Sequence, residues 1–455
     1  MRLDYNRIHI VGAGGSGMSA IAKVLVGLGH QVSGSDLRGD ATLSRLGDFG
    51  IETYPGSNPE MARQADLVVA SSAVPERDPE LLAASAAGKP VWRRPRLLGA
   101  ITASVPTIGA TGTHGKTTTT ALLVTALRSM GFDPSFIVGG EISNLATNGH
   151  YGTSNLLVVE ADEAFRTFEH LMLNGLVVTN VEPEHLEHFG SEEEMRRSFV
   201  TVAAAVAGPV VACADDPGSA DLARQTAAIT YGTAEGADWR LQNLVPTGGG
   251  TSFILEGPDT RVEVVLSRPG THVAVNAAGV LALLGEMGMD VAKAASGLAT
   301  FTGVGRRWEH RGTVSGVTLI DDYAHHPTEV GVNLRTAKEW HDGRVWAVFQ
   351  PHLYTRTERF SDEFGVALAI ADRVVVTDVY GSRETPIPGI NGQLVADAVR
   401  ESGGEVDYVQ HRMDLAPFLA ERVSPGDLVV TMGAGDITLV PTELALLLSE
   451  AENDT

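Results

Sequence analysis

Residues 106–120 read PTIGATGTHGKTTTT, and the architecture of the chain follows from where this stretch must sit. PTIGAT is a short apolar run of the kind that forms a buried strand, and the residues after Lys116 can start a helix. A glycine loop between a strand and a helix aims backbone N–H groups at phosphate oxygens. In that setting Gly112, Thr113, His114, Gly115 and Thr118 line the phosphates and Lys116 reaches the β- and γ-phosphates. The Thr117 hydroxyl is then a ligand for Mg²⁺. The full P-loop spacing asks for glycine at position 110, where this chain has Ala110. The GKTT core still predicts nucleoside triphosphate binding. Replacing Lys116 by alanine is expected to abolish turnover with little effect on folding, since a phosphate-binding lysine has no role in a core.

Upstream, RIHIV (7–11) runs into GAGGSG (12–17), a G-x-G-x-x-G loop after a strand, and Asp36 follows Gly12 by 24 residues. Gly12, Gly14, Gly15, Ser16 and Gly17 would let the backbone approach a pyrophosphate, with Asp36 available to ribose or base. A UDP-sugar carries a pyrophosphate as a dinucleotide does, and a dehydrogenase has no need of the P-loop next door. Further strands are expected at 32–35, 67–70 and 90–92, and the block ends near Ala103.

Downstream, NLLVVEAD (155–162) delivers Glu160, Asp162 and then Glu163 at a strand's carboxyl end, where open α/β sheets bind ligands. LVVTN (176–180) leads to Asn180, Glu182, Glu184, His185 and His188. Mg²⁺ favours oxygen donors, so Glu160 with Thr117 is the expected ion site, and His185 can help hold a second ion. Residues 238–266 suggest antiparallel hairpins on one sheet edge, followed by helices from about Thr271 and Asp290. SEEEMRR (191–197) reads as a solvated helix start, with acids at its positive end. The stretch 300–312 lacks apolar periodicity and reads as a linker carrying Arg306 and Arg307, residues suited to phosphate or carboxylate. A third block has strands at 317–322, 344–350, 373–379 and 427–433. DDYAHHP (321–327) and QPHLYTRT (350–357) each follow a strand, so Asp321, Asp322, His325, His326, His352 and Arg356 are expected to face a cleft.

Composition sets the outer limits. The 455 residues are 43% hydrophobic and 20% charged, the balance of a globular protein of about three domains. A net charge of −22 repels nucleic-acid backbones and anionic membranes, so neither is an expected partner. The single cysteine, Cys213, excludes an intrachain disulfide and is expected to be a buried thiol. No run of about 18 uninterrupted apolar residues signals a membrane span. The first residues lack a signal-peptide pattern, so the cytoplasm is the expected location.

The motifs in their order resemble the Mur ligase family, the ATP-dependent amide-forming enzymes of peptidoglycan precursor synthesis. The resemblance rests on IHIVGAGGSGMSAIAKVL, GSD (34–36), SSAV (71–74), GTHGKTTTT, EADE (160–163), VTNVEPEH (178–185), FTGVGRRWE (301–309), DDYAHHPTEV, QPHLYTRT, PIPG (386–389) and TMGAGDI (431–437). It covers nearly the whole chain. It implies an α/β protein of three domains. These are a Rossmann-like N-terminal domain binding a UDP-sugar (1–103), a P-loop central ATPase domain (104–305) and a Rossmann-like C-terminal domain (306–455). The last would help to bind ATP and the amino acid.

The implied reaction joins the carboxylate of UDP-N-acetylmuramate to the amine of L-alanine through an acyl phosphate, using ATP and Mg²⁺, in a monomer or homodimer. The resemblance places Lys116, Glu160, His185, Arg306, His325 and Arg356 in catalysis. Asn276, Arg307 and Asp322 would join the P-loop at the nucleotide. Ser71, Ser72, His352 and Arg356 would bind substrate. The chain also departs from the family pattern. Ala164-Phe165 stands where Ser-Asp is usual, Pro183-Glu184 precedes His185, and TYPGSN (53–58) replaces a Gly-His pair. Asn276 is the one asparagine of THVAVN, and Leu353 stands where many members carry arginine. These changes bear on the uridine contact and on the amino acid. A ligase of the same chemistry acting on another acid or amine, and a nucleotide-binding protein without ligation, are the alternatives.

Overall fold

The computed structural model describes residues 3–37, 39, 41–247, 249–382 and 384–453. The chain divides into two compact units, Met1–Thr302 and Gly303–Thr455. The first holds two sheets and the second holds one.

The first sheet is parallel throughout, built from β1 (Arg7–Val11), β2 (Gln31–Asp36), β3 (Glu52–Pro55), β4 (Leu67–Ala70) and β5 (Val91–Arg93). Its order is β3-β2-β1-β4-β5, so the strand order reverses at β1. The glycine loop 12–17 leaves β1 at this reversal, where open α/β sheets take their ligands. The strand β3 gives no sequence signal: ETYP is polar and half exposed, because an edge strand needs burial on one side only.

The second sheet has ten strands. They are β6 (Thr107–Thr111), β7 (Ser135–Ile142), β8 (Thr147–His150), β9 (Leu157–Glu160), β10 (Gly175–Val178), β11 (Val210–Cys213), β12 (Ile229–Gly232), β13 (Trp239–Thr247), β14 (Gly250–Gly257) and β15 (Thr260–Leu266). The order is β15-β14-β13-β12-β11-β10-β6-β9-β7-β8, which places β6 between β9 and β10. The expected hairpins are β13 to β15, antiparallel to one another at one edge. Helices start at Thr271 and Val291, the second capped by Asp290. The helix Glu192–Ala205 is capped by Ser191 and carries three glutamates in its first turn. Cys213 is buried at the end of β11, where burial pushes its thiol up to about 12. One apolar core runs through the first two sheets, from Ile8 and Ile21 to Val159 and Phe199.

The third sheet comprises β16 (Glu309–Val314), β17 (Val317–Asp322), β18 (Val345–Phe349), β19 (Arg373–Val376), β20 (Val406–Tyr408) and β21 (Leu428–Met432), in the order β16-β17-β21-β18-β19-β20. The expected linker is therefore half wrong, since β16 occupies its end and pairs antiparallel with β17. A register shift between His310 and Gly312 breaks the alternation that would have betrayed it. Trp346, Val348 and Val429 on one face and Phe349, Val430 and Met432 on the other give this unit its own core. Among the described residues no helix is long and apolar enough to cross a membrane.

Candidate active site

The phosphate loop leaves β6 at the reversal of the second sheet, and β9 and β10 end beside it, with Ala110 level with Glu160 and Thr111 with Val178. Ala110 is fully buried inside β6, so the absent glycine lies before the turn and costs the loop nothing. Gly112 is the position that tolerates no side chain: its φ is 135° and a Cβ there would fall 2.1 Å from Thr179 Oγ1. The segment after β10 clamps the loop. Thr113 N donates to Asn180 O at 3.1 Å, His114 N to Asn180 Oδ1 at 2.7 Å, and Thr113 Oγ1 to Glu182 O at 3.0 Å. Asn276, on the helix Thr271–Glu286, lies against Gly115, within 3.0 Å of where a Cβ would stand.

Lys116 Nζ donates to Gly112 O at 2.8 Å and Thr113 O at 2.9 Å. It also lies 2.9 Å from Glu163 Oε1 and 2.8 Å from Oε2. Burial disfavours the ammonium, but Glu163, then Asp162 and Glu160, outweigh it and hold Lys116 above the ordinary lysine range. Glu163 is itself 1% exposed, and burial raises its carboxyl above the usual range despite the lysine. Lys116 thus has a structural partner in a buried carboxylate. This pairing runs against the expectation that its removal has little effect on folding. Glu163, expected at this strand end, was given no role of its own by the sequence, which does not show its pairing with Lys116.

Thr117 Oγ1 donates to Glu160 Oε1 at 3.1 Å, and Glu160 Oε2 accepts from Gly139 N at 2.7 Å. His185 Nε2 lies 3.9 Å from Glu163 Oε1. Thr117 thus reaches Glu160, while Lys116 and His185 both lie against Glu163, and the hydroxyl and carboxylate oxygens of this set are donors of the kind a magnesium ion takes. Thr118 follows within the first turn of the same helix.

In the first sheet, Gly12 N and Ala13 N both donate to Ser35 O at 2.9 Å, and Gly14 N donates to Asp36 Oδ2 at 3.0 Å. Asp36 thus braces the glycine loop with one carboxylate oxygen, a task the ribose reading leaves out. Gly15 caps the helix Ser16–Gly27. Ser71 packs on Gly12, 3.0 Å from where a Cβ would stand, and its carbonyl accepts from Arg93 Nη1 at 3.2 Å. Ser72 Oγ is buried with no hydrogen-bond partner among the described residues. Arg94, unassigned by motif, lies beside Gly17 and donates through Nη2 to Asp162 Oδ2 at 2.8 Å and Thr167 Oγ1 at 3.2 Å. Burial opposes ionisation of Asp162, but Arg94 and Lys116 hold its carboxyl below the usual range. One guanidinium therefore joins the glycine loop to the carboxylates of the P-loop. The pair Arg93-Arg94 before a helix was the only sequence sign of it.

In the unit Gly303–Thr455 the expected cluster separates into two kinds of residue. Asp321 does not face solvent: it is fully buried and accepts from Thr431 Oγ1 at 2.9 Å and Thr438 Oγ1 at 2.5 Å. Asp322 accepts from Trp308 N at 2.6 Å and Ala324 N at 2.7 Å, and burial pushes its carboxyl up to about 6. His326 is a buried helix cap, its Nδ1 accepting from Thr328 N at 3.3 Å. Arg306 donates through Nη2 to Gly433 O at 2.7 Å and Gly435 O at 3.2 Å, tying down the loop after β21. These four residues hold turns in place, because a strand end that changes direction leaves amides and carbonyls needing partners. Arg307 lies 3.4 Å from Glu329 and over the ring of Tyr323. The second kind comprises His325, His352 and Arg356. The rings of His325 and His352 lie 6.0 Å apart, Tyr380 stacks on His352, and Arg356 Nη1 reaches His352 Nδ1 at 3.2 Å.

A phosphate loop at one sheet reversal, a diphosphate-type loop at another and a third sheet define a three-domain ATP-dependent ligase. Residues 7–105 match the catalytic domain of the Mur ligase family, 110–284 the Mur ligase middle domain and 306–435 the Mur ligase glutamate ligase domain. The chain belongs to the Mur ligase family. It is 43% identical to the UDP-N-acetylmuramate–L-alanine ligase of Saccharopolyspora erythraea, over 99% of this chain and 94% of that one. It is 44% identical to the enzyme of the same name from Kineococcus radiotolerans, over 98% and 96%. The crystal structure of the UDP-N-acetylmuramate-alanine ligase of Thermotoga maritima superposes with a TM-score of 0.84, at 28% identity, covering 99% of this chain and 100% of that one.

Proposed function

We propose that this chain joins the carboxylate of UDP-N-acetylmuramate to the amine of L-alanine, using ATP and Mg²⁺ and releasing ADP and phosphate. What supports the proposal is the similarity of the chain, end to end, to ligases of that name, together with the P-loop contacts of Thr117 with Glu160 and of Lys116 and His185 with Glu163. Residues 1–103 would hold the UDP-sugar, 104–305 the ATP, and 306–455 would complete the ATP and amino-acid sites. A monomer or homodimer in the cytoplasm fits this role.

A carboxylate is a poor acyl donor because its leaving group would be oxide. Its oxygen attacks the γ-phosphorus of ATP, ADP leaves, and the acyl phosphate formed has phosphate as its leaving group. The alanine amine then attacks the acyl carbon, the C–O bond to phosphate breaks, and the amine loses a proton. Lys116 would lie along the phosphates and neutralise charge that builds on the transferring group. Thr117, Glu160 and His185 would hold Mg²⁺, which supplies further positive charge to the phosphate oxygens. The glycine loop 12–17, Asp36, Ser71, Ser72 and Arg94 would seat the diphosphate of the sugar nucleotide. Asn276 and Arg307 would contact ATP. Asp322 and Arg306 would act by shaping the turns next to it. His325, His352 and Arg356 would hold the amino acid by its carboxylate, because that group is costly to bury unpaired.

The test is incubation of the purified protein with UDP-N-acetylmuramate, ATP, Mg²⁺ and a panel of amino acids, read by phosphate release and product mass. L-Alanine is expected to give the most product, with glycine and L-serine weaker. Product with another amine and none with L-alanine would favour a ligase of the same chemistry on a different substrate, the reading to which Ala164-Phe165 and Leu353 lend weight. No turnover with any amine would favour the non-ligating alternative.

A further inference from the structure

The bend after β9 and the turn after β10 hold three non-glycine residues in the left-handed region: Phe165 at φ 55°, Arg166 at 54° and His185 at 53°. Such backbone is strained and persists only where surrounding contacts over-determine it. Arg166 N donates to Glu163 O at 2.9 Å and Arg166 Nε to Glu169 Oε1 at 2.8 Å, and aromatic rings pack beside these bonds. The Phe165 ring lies 4.3 Å from that of His188, tilted by 33°. His188 in turn stacks on His185 at 6.0 Å and 24°. The backbone closes the same group, His188 N donating to His185 O at 2.9 Å. The three rings form a pile whose inner end is the imidazole lying 3.9 Å from Glu163. Its outer members are a phenylalanine where the family pattern has an acid, and a histidine that the metal reading leaves without a task.

We propose that Phe165 and His188 are positioning residues that fix the His185 imidazole by stacking, and so set how tightly the Thr117–Glu160–His185 site holds a divalent ion. The inference rests on the metal site of the proposed function. An imidazole loses side-chain rotation when it binds an ion. A ring packed against it removes that freedom beforehand. Oriented partners behind a ligand commonly change metal affinity by about ten-fold or more, and an aromatic pair contributes about 2- to 10-fold in an equilibrium.

The experiment is Mn²⁺ titration of the full-length protein followed by electron paramagnetic resonance, without ATP, on the wild type and F165L, F165Y, H188L, H188F and H185A. F165L and H188L are expected to weaken Mn²⁺ about three- to ten-fold. F165Y and H188F keep a ring and are expected to stay within about two-fold of wild type. The UDP-N-acetylmuramate dissociation constant, measured in parallel by calorimetry, is expected to stay constant in all of them, which a general loss of fold would not allow. Wild-type Mn²⁺ binding by F165L and H188L, with loss in H185A, overturns the stack and leaves the metal site standing. An H188F protein as weak as H188L makes His188 a ligand rather than a stacking partner and overturns the proposal. Unchanged binding in H185A overturns both the stack and the metal site.

Discussion

Lys116 shows how one residue can be legible in its chemistry and illegible in its energetics. GKTT announces a phosphate-binding ammonium, but nothing local says that the ammonium is balanced by Glu163, 47 residues away and buried. Lys116→Ala should lower ligation by at least about 100-fold. It should also strand a carboxylate, costing about 3–5 kcal/mol at pH 8. A carboxyl whose pKa is raised in the folded state binds protons more tightly there than in the unfolded chain. The penalty should therefore shrink as pH falls through the raised pKa of Glu163. Thermal unfolding at pH 8 and pH 6 checks this, and the double change with Glu163→Gln should restore stability without activity. A K116A protein as stable as wild type at pH 8 would remove the ion pair from the account. At the other site, Arg356→Ala should raise the KM for the amino acid far more than that for ATP. If the amino-acid KM does not move, the carboxylate anchor lies elsewhere, with Arg306 and Arg307 next in line.

At the scale of elements, the hairpin β7–β8 does what no motif foretold. Its strand TNGH is polar and four residues long, and its register with β7 shifts between Ile137 and Ile142, so neither length nor alternation marks it. Yet it packs on the helix Ser16–Gly27. A Cβ on Gly149 would sit 2.4 Å from Ala20 O. Asn148 Nδ2 donates to Ser16 O at 2.7 Å, and Lys23 Nζ donates to Asn148 Oδ1 at 2.9 Å and Thr147 Oγ1 at 3.1 Å. The second sheet thereby grips the helix that opens from the glycine loop of the first. Gly149→Ala should cost about 1–3 kcal/mol through overpacking and weaken UDP-N-acetylmuramate binding while sparing ATP. Calorimetry with each ligand checks the split, and equal losses for both would point to general unfolding instead.

At the scale of the whole molecule, the −22 charge means that two anionic nucleotide substrates, and the carboxylate of a zwitterionic amino acid, must be captured by a few local features rather than by an attractive field. UDP-N-acetylmuramate should bind without ATP, and NAD(H) and NADP(H) should not bind. A nicotinamide titration with a redox-dependent absorbance change would reverse that expectation. The unit Gly303–Thr455 has its own sheet and core, so it should fold as a separate fragment with a cooperative melt, and neither fragment alone should ligate. Parallel apolar strands, their glycine loops and the family were readable along the chain because each depends on neighbours within about ten residues: an apolar run, a turn, a helix start. The edge strands β3, β8, β16 and β20 were not, since a strand buried on one side carries little apolar signal. Nor were the partners Glu163 for Lys116, Arg94 for Asp162 and Trp308 for Asp322, or the inward turn of Asp321. Burial and pairing across many tens of residues arise only when separate strands are brought side by side, and a carboxylate's task depends on which group meets it there.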